Sequence, residues 1–296
     1  MQTAQPPLMA QMARSLLRSN LKGRHRLTAW LAQWLQPLQA VPIAIADWSP
    51  IYIDLRFIST HQWLMGHPWR SCPREEDEQA VMRQLVRRSD VVFDIGANLG
   101  LHTALLSQLV GAEGQVVAFE PNPELLTALS KTVSAMPNVS LYPCALSNTT
   151  EPTQLFVPPH NPDVGSLADW TKAEYGVTHQ VTCDQQRLDT LVSSGVIPYP
   201  QFIKCDVEGA EPIVFEGAKE ALDQPHAPIV LFESNQYTAS GFSGDRWEAM
   251  KFLQSLPKAQ YKMFEVKPGG KLSDRLGLDS LYASLLAIPA SHSALR

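Results

Sequence analysis

The chain has 296 residues, 45% of them hydrophobic, which is enough for one main domain with a normal core plus an extension. Its net charge of -5 argues against a nucleic-acid binder. No apolar run approaches the roughly 18 residues needed to span a bilayer, and the N-terminus lacks the compact apolar core of a signal peptide.

Residues 1–46 read as a basic amphipathic extension. Arg14, Arg18, Lys22, Arg24 and Arg26 fall here, and no acidic residue precedes Asp47. Leu27, Trp30, Leu31, Trp34, Leu35 and Leu38 recur at helical spacing until Pro37 and Pro42 end the pattern. Such a helix either caps the main domain with its apolar face or makes a peripheral membrane contact. Residues 47–90 form a lead-in or lid. Ile51 to Ile58 alternates like a strand, and Glu75 to Arg87 reads as a helix. Trp63, Trp69 and Trp170 either fill the lid's core or line an acceptor pocket.

The main domain is expected over residues 91–290. Its first strand, Val91-Val92-Phe93-Asp94-Ile95, breaks into Gly96-Ala97-Asn98-Leu99-Gly100 where a helix should begin. Gly96 and Gly100 allow a ligand to approach the backbone, and Asp94 places a carboxylate at the strand's end. On the order of twenty residues further on, Gln115 to Phe119 ends in Glu120-Pro121-Asn122, where Glu120 is placed to take both ribose hydroxyls. A dinucleotide fingerprint requires G-x-G-x-x-G, and here those positions are Gly96, Asn98 and Leu101. A cofactor without a phosphate, such as S-adenosylmethionine, does not need the missing glycines.

Val139 to Tyr142 gives a third strand, and Cys144-Ala145-Leu146-Ser147 should pass near the adenine. Further strands follow at Phe202 to Cys205 and Ile229 to Phe232, separated by a helix from Glu211 to Leu222. This alternation is that of a doubly wound α/β sheet. Tyr261 to Val266 and Leu281 to Ile288, without a long helix between them, suit a closing antiparallel hairpin. A second chemical cluster is Lys204-Cys205-Asp206-Val207-Glu208-Gly209-Ala210-Glu211. In extended backbone Lys204, Asp206 and Glu208 point to one side, at the strand end that lines the ligand crevice of such sheets. Asp206 is the candidate general base or substrate-positioning group, while Glu211 suits a helix N-terminus.

Taken in order, Asp94-Ile-Gly96-Ala-Asn98-Leu-Gly100-Leu-His-Thr103, Phe119-Glu120-Pro121, Ala145-Leu-Ser147, Gly165-Ser166-Leu167, Leu188-Asp189-Thr-Leu191 and Ile203 to Glu211 resemble the FkbM-type methyltransferases. The likeness runs from about Tyr52 to about Pro289. It implies a class I methyltransferase, Rossmann-like, with a seven-stranded sheet and S-adenosylmethionine as cofactor. It also implies methyl transfer to a hydroxyl of a sugar, polyketide or related metabolite. The candidate cofactor-binding positions are Asp94, Gly96, Ala97, Asn98, Gly100, Thr103, Glu120, Pro121, Asn122, Ala145 and Leu146. The candidate catalytic ones are Asp206, Glu208 and Lys204. His102 stands where an aromatic residue is expected, and Cys205 where an aliphatic one is commoner.

Competing functions are a non-catalytic cofactor-binding or scaffolding protein and a nicotinamide oxidoreductase, the latter opposed by the missing glycines. Cys72, Cys144, Cys183 and Cys205 show no C-x-x-C spacing, so no metal site or disulfide framework is assigned and a cytoplasmic setting is simplest. A metal-assisted variant would draw on Asp206, Glu208 and Asn235 as hard oxygen ligands.

Overall fold

The computed structural model describes residues 7–45, 48–66, 74–172, 176–277 and 280–293. Trp69 and Cys72 lie outside them. The centre is an eight-stranded sheet of strands β1 (Val91–Ile95), β2 (Gln115–Phe119), β3 (Val139–Tyr142), β4 (Phe202–Cys205), β5 (Ile229–Asn235), β6 (Lys262–Lys267), β7 (Lys271–Ser273) and β8 (Tyr282–Ile288). Their spatial order is β7-β6-β8-β5-β4-β1-β2-β3. The strands from β5 to β3 run parallel, whereas β8, β6 and β7 pair antiparallel. The short edge strand β7 is an eighth beyond the seven that the resemblance implies, added by the hairpin that closes the sheet.

Parallel strands covered on both faces read as near-continuous apolar runs, which is what β1, β4 and β5 are. Phe93, Ile95, Phe119, Ile203 and Cys205 pack on one face with Val214 and Phe215 of helix α6 (Glu211–Gly217). Helices α3 (Arg74–Leu85) and α4 (Leu101–Val110) lie on the other face, where Met82, Leu105 and Leu106 meet Val92, Val116 and Leu231. Helix α5 (Pro123–Ser134) connects β2 to β3. The strand order reverses between β1 and β4, so the crevice at their carboxyl ends is the topological switch point where ligands bind in open α/β sheets.

The N-terminal segment packs onto this body. Helices α1 (Leu8–Arg18) and α2 (Arg24–Trp34) lead to a hairpin of Val41–Ile43 with Ile51–Ile53. Leu17, Ala32, Leu38, Val41 and Ile53 share one apolar cluster with Leu101 of α4 and Leu125 of α5. Two local expectations fail here. The strand predicted to Ile58 stops at Ile53, because the Asp54 carboxylate takes the Arg56 backbone N–H at 2.9 Å and its guanidinium at 2.6 Å, turning the chain. The predicted apolar face of α2 is also split: Leu38 is buried and Leu35 packs on the same cluster, but Leu27, Trp30 and Trp34 are exposed and Thr28, Ala29 and Ala32 are buried instead.

Candidate active site

The first cluster forms a compact turn at the end of β1. Gly96, Asn98 and Gly100 all hold positive φ, at +81°, +53° and +86°. The Gly96 and Ala97 N–H groups both donate to the Phe119 carbonyl, so the turn is fastened to the end of β2. Glu120 continues this fastening. Its Oε2 accepts the Asn98 N–H and its Oε1 the Asn122 N–H, each at 2.8 Å. A carboxylate oxygen has two lone pairs, so both retain capacity for a ribose diol. Burial pushes the Glu120 carboxyl up to about 7, although the Asn122 and Asn98 N–H groups pull it back.

Gly96, Ala97, Asn98, Glu120, Pro121, Asn122, Ala145 and Leu146 all line one cavity over the switch point, together with His102 and Cys144. The Asn122 side chain is largely committed to structure, because it caps α5 through the Glu124 N–H at 3.0 Å and donates to the Pro162 carbonyl at 2.9 Å. Asp94, Gly100 and Thr103 differ from the sequence expectation of cofactor contact, since none of them reaches the cavity wall. They support the turn from beneath. Thr103 is fully buried and donates its hydroxyl to Asp94 Oδ2 at 2.5 Å, and Gly100 abuts Thr132 and Leu129 of α5.

The second cluster meets the first through sheet register. Lys204 pairs with Asp94 across β4 and β1, which brings Lys204 Nζ within 3.9 Å of Asp94 Oδ1. The same ammonium lies 3.4 Å from Asp206 Oδ2. Lys204 is buried, yet the surrounding Asp206, Asp94, Glu78 and Glu75 carboxylates outweigh that burial and hold its pKa above the ordinary lysine value. It is a permanent cation. The Asp206 side chain is 38% exposed to the cavity, while Lys204 is 5%. Burial alone would raise Asp206, but the Lys204 charge and a hydrogen bond from Glu233 bring it below the usual carboxylate range. Asp206 therefore stands ionised at neutral pH.

Glu208 also lines the cavity, in the left-handed region at φ +54°, because β4 ends at Cys205 and the extended geometry stops there. Burial raises its carboxyl well above the ordinary value, with Asp206 adding repulsion. Glu211, predicted to serve a helix start, does so: its Oε1 accepts the Val207 N–H at 3.0 Å. Asp206, Glu211 and Glu233 bring carboxylate oxygens within 4.8 Å of one another, the one such group among the described residues. Glu208 is not in it. Asn235 caps the following helical turn through the Tyr237 N–H and donates to Glu233.

Sequence reasoning missed Glu233, Glu75 and Asp163. Glu233 was legible, because it follows the apolar run of β5 one position past the Cys205–Phe232 pair, as Asp206 follows β4. Glu75 carried no such signal, since acids in a first helical turn read as dipole complement. It lines the cavity from α3, and burial, then Glu78, pushes its carboxyl up to about 8. Asp163 belongs to a loop that closes over the cavity. Its carbonyl accepts from Asn98 Nδ2 at 3.1 Å and its carboxylate accepts from Ser59 at 2.8 Å. Ser166 of the same loop donates to the Glu208 carbonyl at 2.8 Å. Ser59 and Trp63 complete the wall from the N-terminal segment.

The fold is that of a class I, Rossmann-like methyltransferase: an α/β sheet with a glycine turn and a buried carboxylate at the switch point, and a charged cluster on the adjacent strand. The chain belongs to the FkbM methyltransferase family, whose methyltransferase FkbM domain matches residues 94–263. The cofactor that goes with this family is S-adenosylmethionine. A hexuronic acid methyltransferase from Haloferax volcanii is 30% identical over 156 residues, which cover 52% of this chain and 61% of that relative. The chain thus spans less than two thirds of its length. Among solved structures, an S-adenosylmethionine-dependent O-methyltransferase from Thermotoga maritima aligns at 14% identity and TM-score 0.42, covering 85% of this chain and 78% of that one. Fibrillarin of Aeropyrum pernix, bound to S-adenosylmethionine, aligns at 13% identity and TM-score 0.41, covering 71% of this chain and 73% of that one.

The lining residues fit such a cofactor. Asn98 Oδ1, His102 Nε2 and Glu75 Oε2 are buried polar atoms on cavity-lining residues without a hydrogen-bond partner, and together they offer capacity for a polar ligand. Burial, then the Lys204 charge, depresses His102 to about 3, so its imidazole is neutral. Among the described residues no helix is long and apolar enough to cross a membrane.

Proposed function

We propose that the protein methylates a hydroxyl oxygen of a sugar, polyketide or related metabolite, with Asp206 as base or positioning group. The observation that carries this reading is the ionised, cavity-facing Asp206 carboxylate, fixed by Lys204 at the switch point. S-adenosylmethionine, when bound, supplies a methyl group on an already activated sulfonium. The chain's task is then alignment and proton removal. Glu120, with the Gly96–Asn98 turn, would hold the ribose, while Ala145 and Leu146 would flank the adenine. Asp206 would orient the acceptor's hydroxyl and accept its proton. Lys204 is too strong a cation to serve as the base and instead keeps Asp206 ionised and oriented.

Carboxyl groups on Glu75, Asp163 and Glu208 around the same cavity can accept or donate hydrogen bonds, which suits an acceptor with several hydroxyls. A sugar-type acceptor is also consistent with the relative's hexuronic acid. Labelled methyl donor incubated with host metabolites and a sugar panel should give a labelled ether. A donor-binding protein that labels no hydroxylated compound would leave the scaffolding alternative standing.

Two further outcomes follow from Glu120. Glu120→Ala should weaken donor binding by roughly 1.5–3 kcal/mol, about ten- to a hundredfold by calorimetry, because a charge-assisted ribose contact is lost. Unchanged affinity would remove Glu120 from the ribose site. Donor affinity should also rise with pH as Glu120 ionises near 7 and then level off. The sign follows from linkage: a ligand that prefers the ionised carboxylate binds more weakly wherever the free protein holds the proton. Glu120→Gln should flatten the profile, and a profile identical in wild type and variant would assign the titration elsewhere.

A further inference from the structure

Helix α2 is turned the opposite way from an ordinary surface helix. It packs through Thr28, Ala29 and Ala32 and presents Leu27, Trp30 and Trp34 outward at 37%, 59% and 75% exposure. Helix α1 repeats the arrangement, burying Ala10, Ala13 and Leu17 while Leu8 and Met12, one turn apart, are 73% and 64% exposed. Single exposed apolar side chains are ordinary, but two adjoining helices that each show a large apolar stripe are not. We propose that α1 and α2 form a docking face for an anionic lipid bilayer.

Charge selects that occupant. At 3.6 residues per turn, Arg24 and Arg26 fall on either side of the Leu27–Trp30–Trp34 stripe. Exposed Arg18 and Lys22 add to them, and no acidic residue occurs before Asp47 although the whole chain carries -5. Tryptophan rings at headgroup depth, flanked by cations that reach the phosphates, are the chemistry of an interfacial helix. Neither helix needs to span the bilayer for this. Helix α2 also adjoins the cavity through its inward side: His25 stacks on His61 with ring centroids 5.3 Å apart, and the next residues, Gln62 and Trp63, line the wall. Docking would therefore fix the pocket relative to the membrane plane, whatever the methyl acceptor.

The test is flotation of the full chain with phosphatidylcholine vesicles, with or without about 30% phosphatidylglycerol. The protein should float with the anionic vesicles at low salt, stay behind with pure phosphatidylcholine, and be released by about 0.5 M salt. Trp30→Ala/Trp34→Ala and Lys22→Gln/Arg26→Gln should each weaken binding about tenfold or more. All four side chains are exposed, so melting temperature and donor binding should match wild type. No flotation with anionic vesicles, equal flotation with neutral ones, or full binding by the tryptophan variant would each overturn the proposal. So would vesicle-free self-association abolished by that variant, which would show that a second copy covers the face.

Discussion

Asp206→Asn is expected to lower the turnover rate by about a hundredfold or more while changing donor affinity by less than about tenfold. Asparagine keeps the shape of the side chain, so its contact with the Lys204 ammonium persists as a hydrogen bond to an uncharged amide oxygen, but it cannot take the hydroxyl proton. The split between rate and affinity separates chemistry from support. A carboxylate that merely balanced Lys204 would, when neutralised, lower the melting temperature and disturb donor binding, because Lys204 would keep only Asp94, 3.9 Å away, as an anionic partner in contact. A folded Asn variant with near wild-type turnover would show that Asp206 is not the base. Glu208 would be the next residue to replace, although its raised pKa makes it a proton donor before it is an acceptor.

The parts of the site legible in sequence were those where a strand period ends in a small or acidic residue. Val91 to Gly96, Gln115 to Glu120 and Phe202 to Asp206 each carry an apolar run and its polar terminus in one short window, and parallel register then brings those ends together. The sheet's own pairing could not be read locally, so the contact of Lys204 with Asp94, and the approach of Glu233 to Asp206, appeared only in three dimensions. The closing loop shows the same limit. Pro162 and Asp163 hold Asn122 and Asn98 through backbone carbonyls, and any residue type offers a carbonyl. On α2 the helical period was right and its inward face wrong. Periodicity reports a stripe of large apolar residues, but close helix packing was satisfied by Ala29 and Ala32, and the tryptophans were left to solvent.

Gly96→Ala should be the most damaging single-methyl change in the site, because it strikes both clusters at once. A Cβ at this position would lie 1.9 Å from the Asp206 carbonyl oxygen and 3.0 Å from its carbon, and the obstacle is backbone that cannot rotate away. Gly96 also holds φ +81°, a conformation that costs an L-residue about 1–2 kcal/mol before any clash. Overpacking adds roughly 1–3 kcal/mol where the surroundings can yield, and more where they cannot. The variant should lose several kcal/mol in urea unfolding, and whatever folds should bind donor poorly because the turn and the Asp206 strand end have been forced apart. Gly195→Ala provides the control: it shares a positive φ of +71° but its Cβ would meet nothing within 4 Å, so only the conformational cost remains. Equal losses for the two variants would mean that backbone conformation alone explains Gly96. A larger loss at Gly96, accompanied by weakened donor binding, would locate the direct contact between the turn after β1 and the Asp206 end of β4.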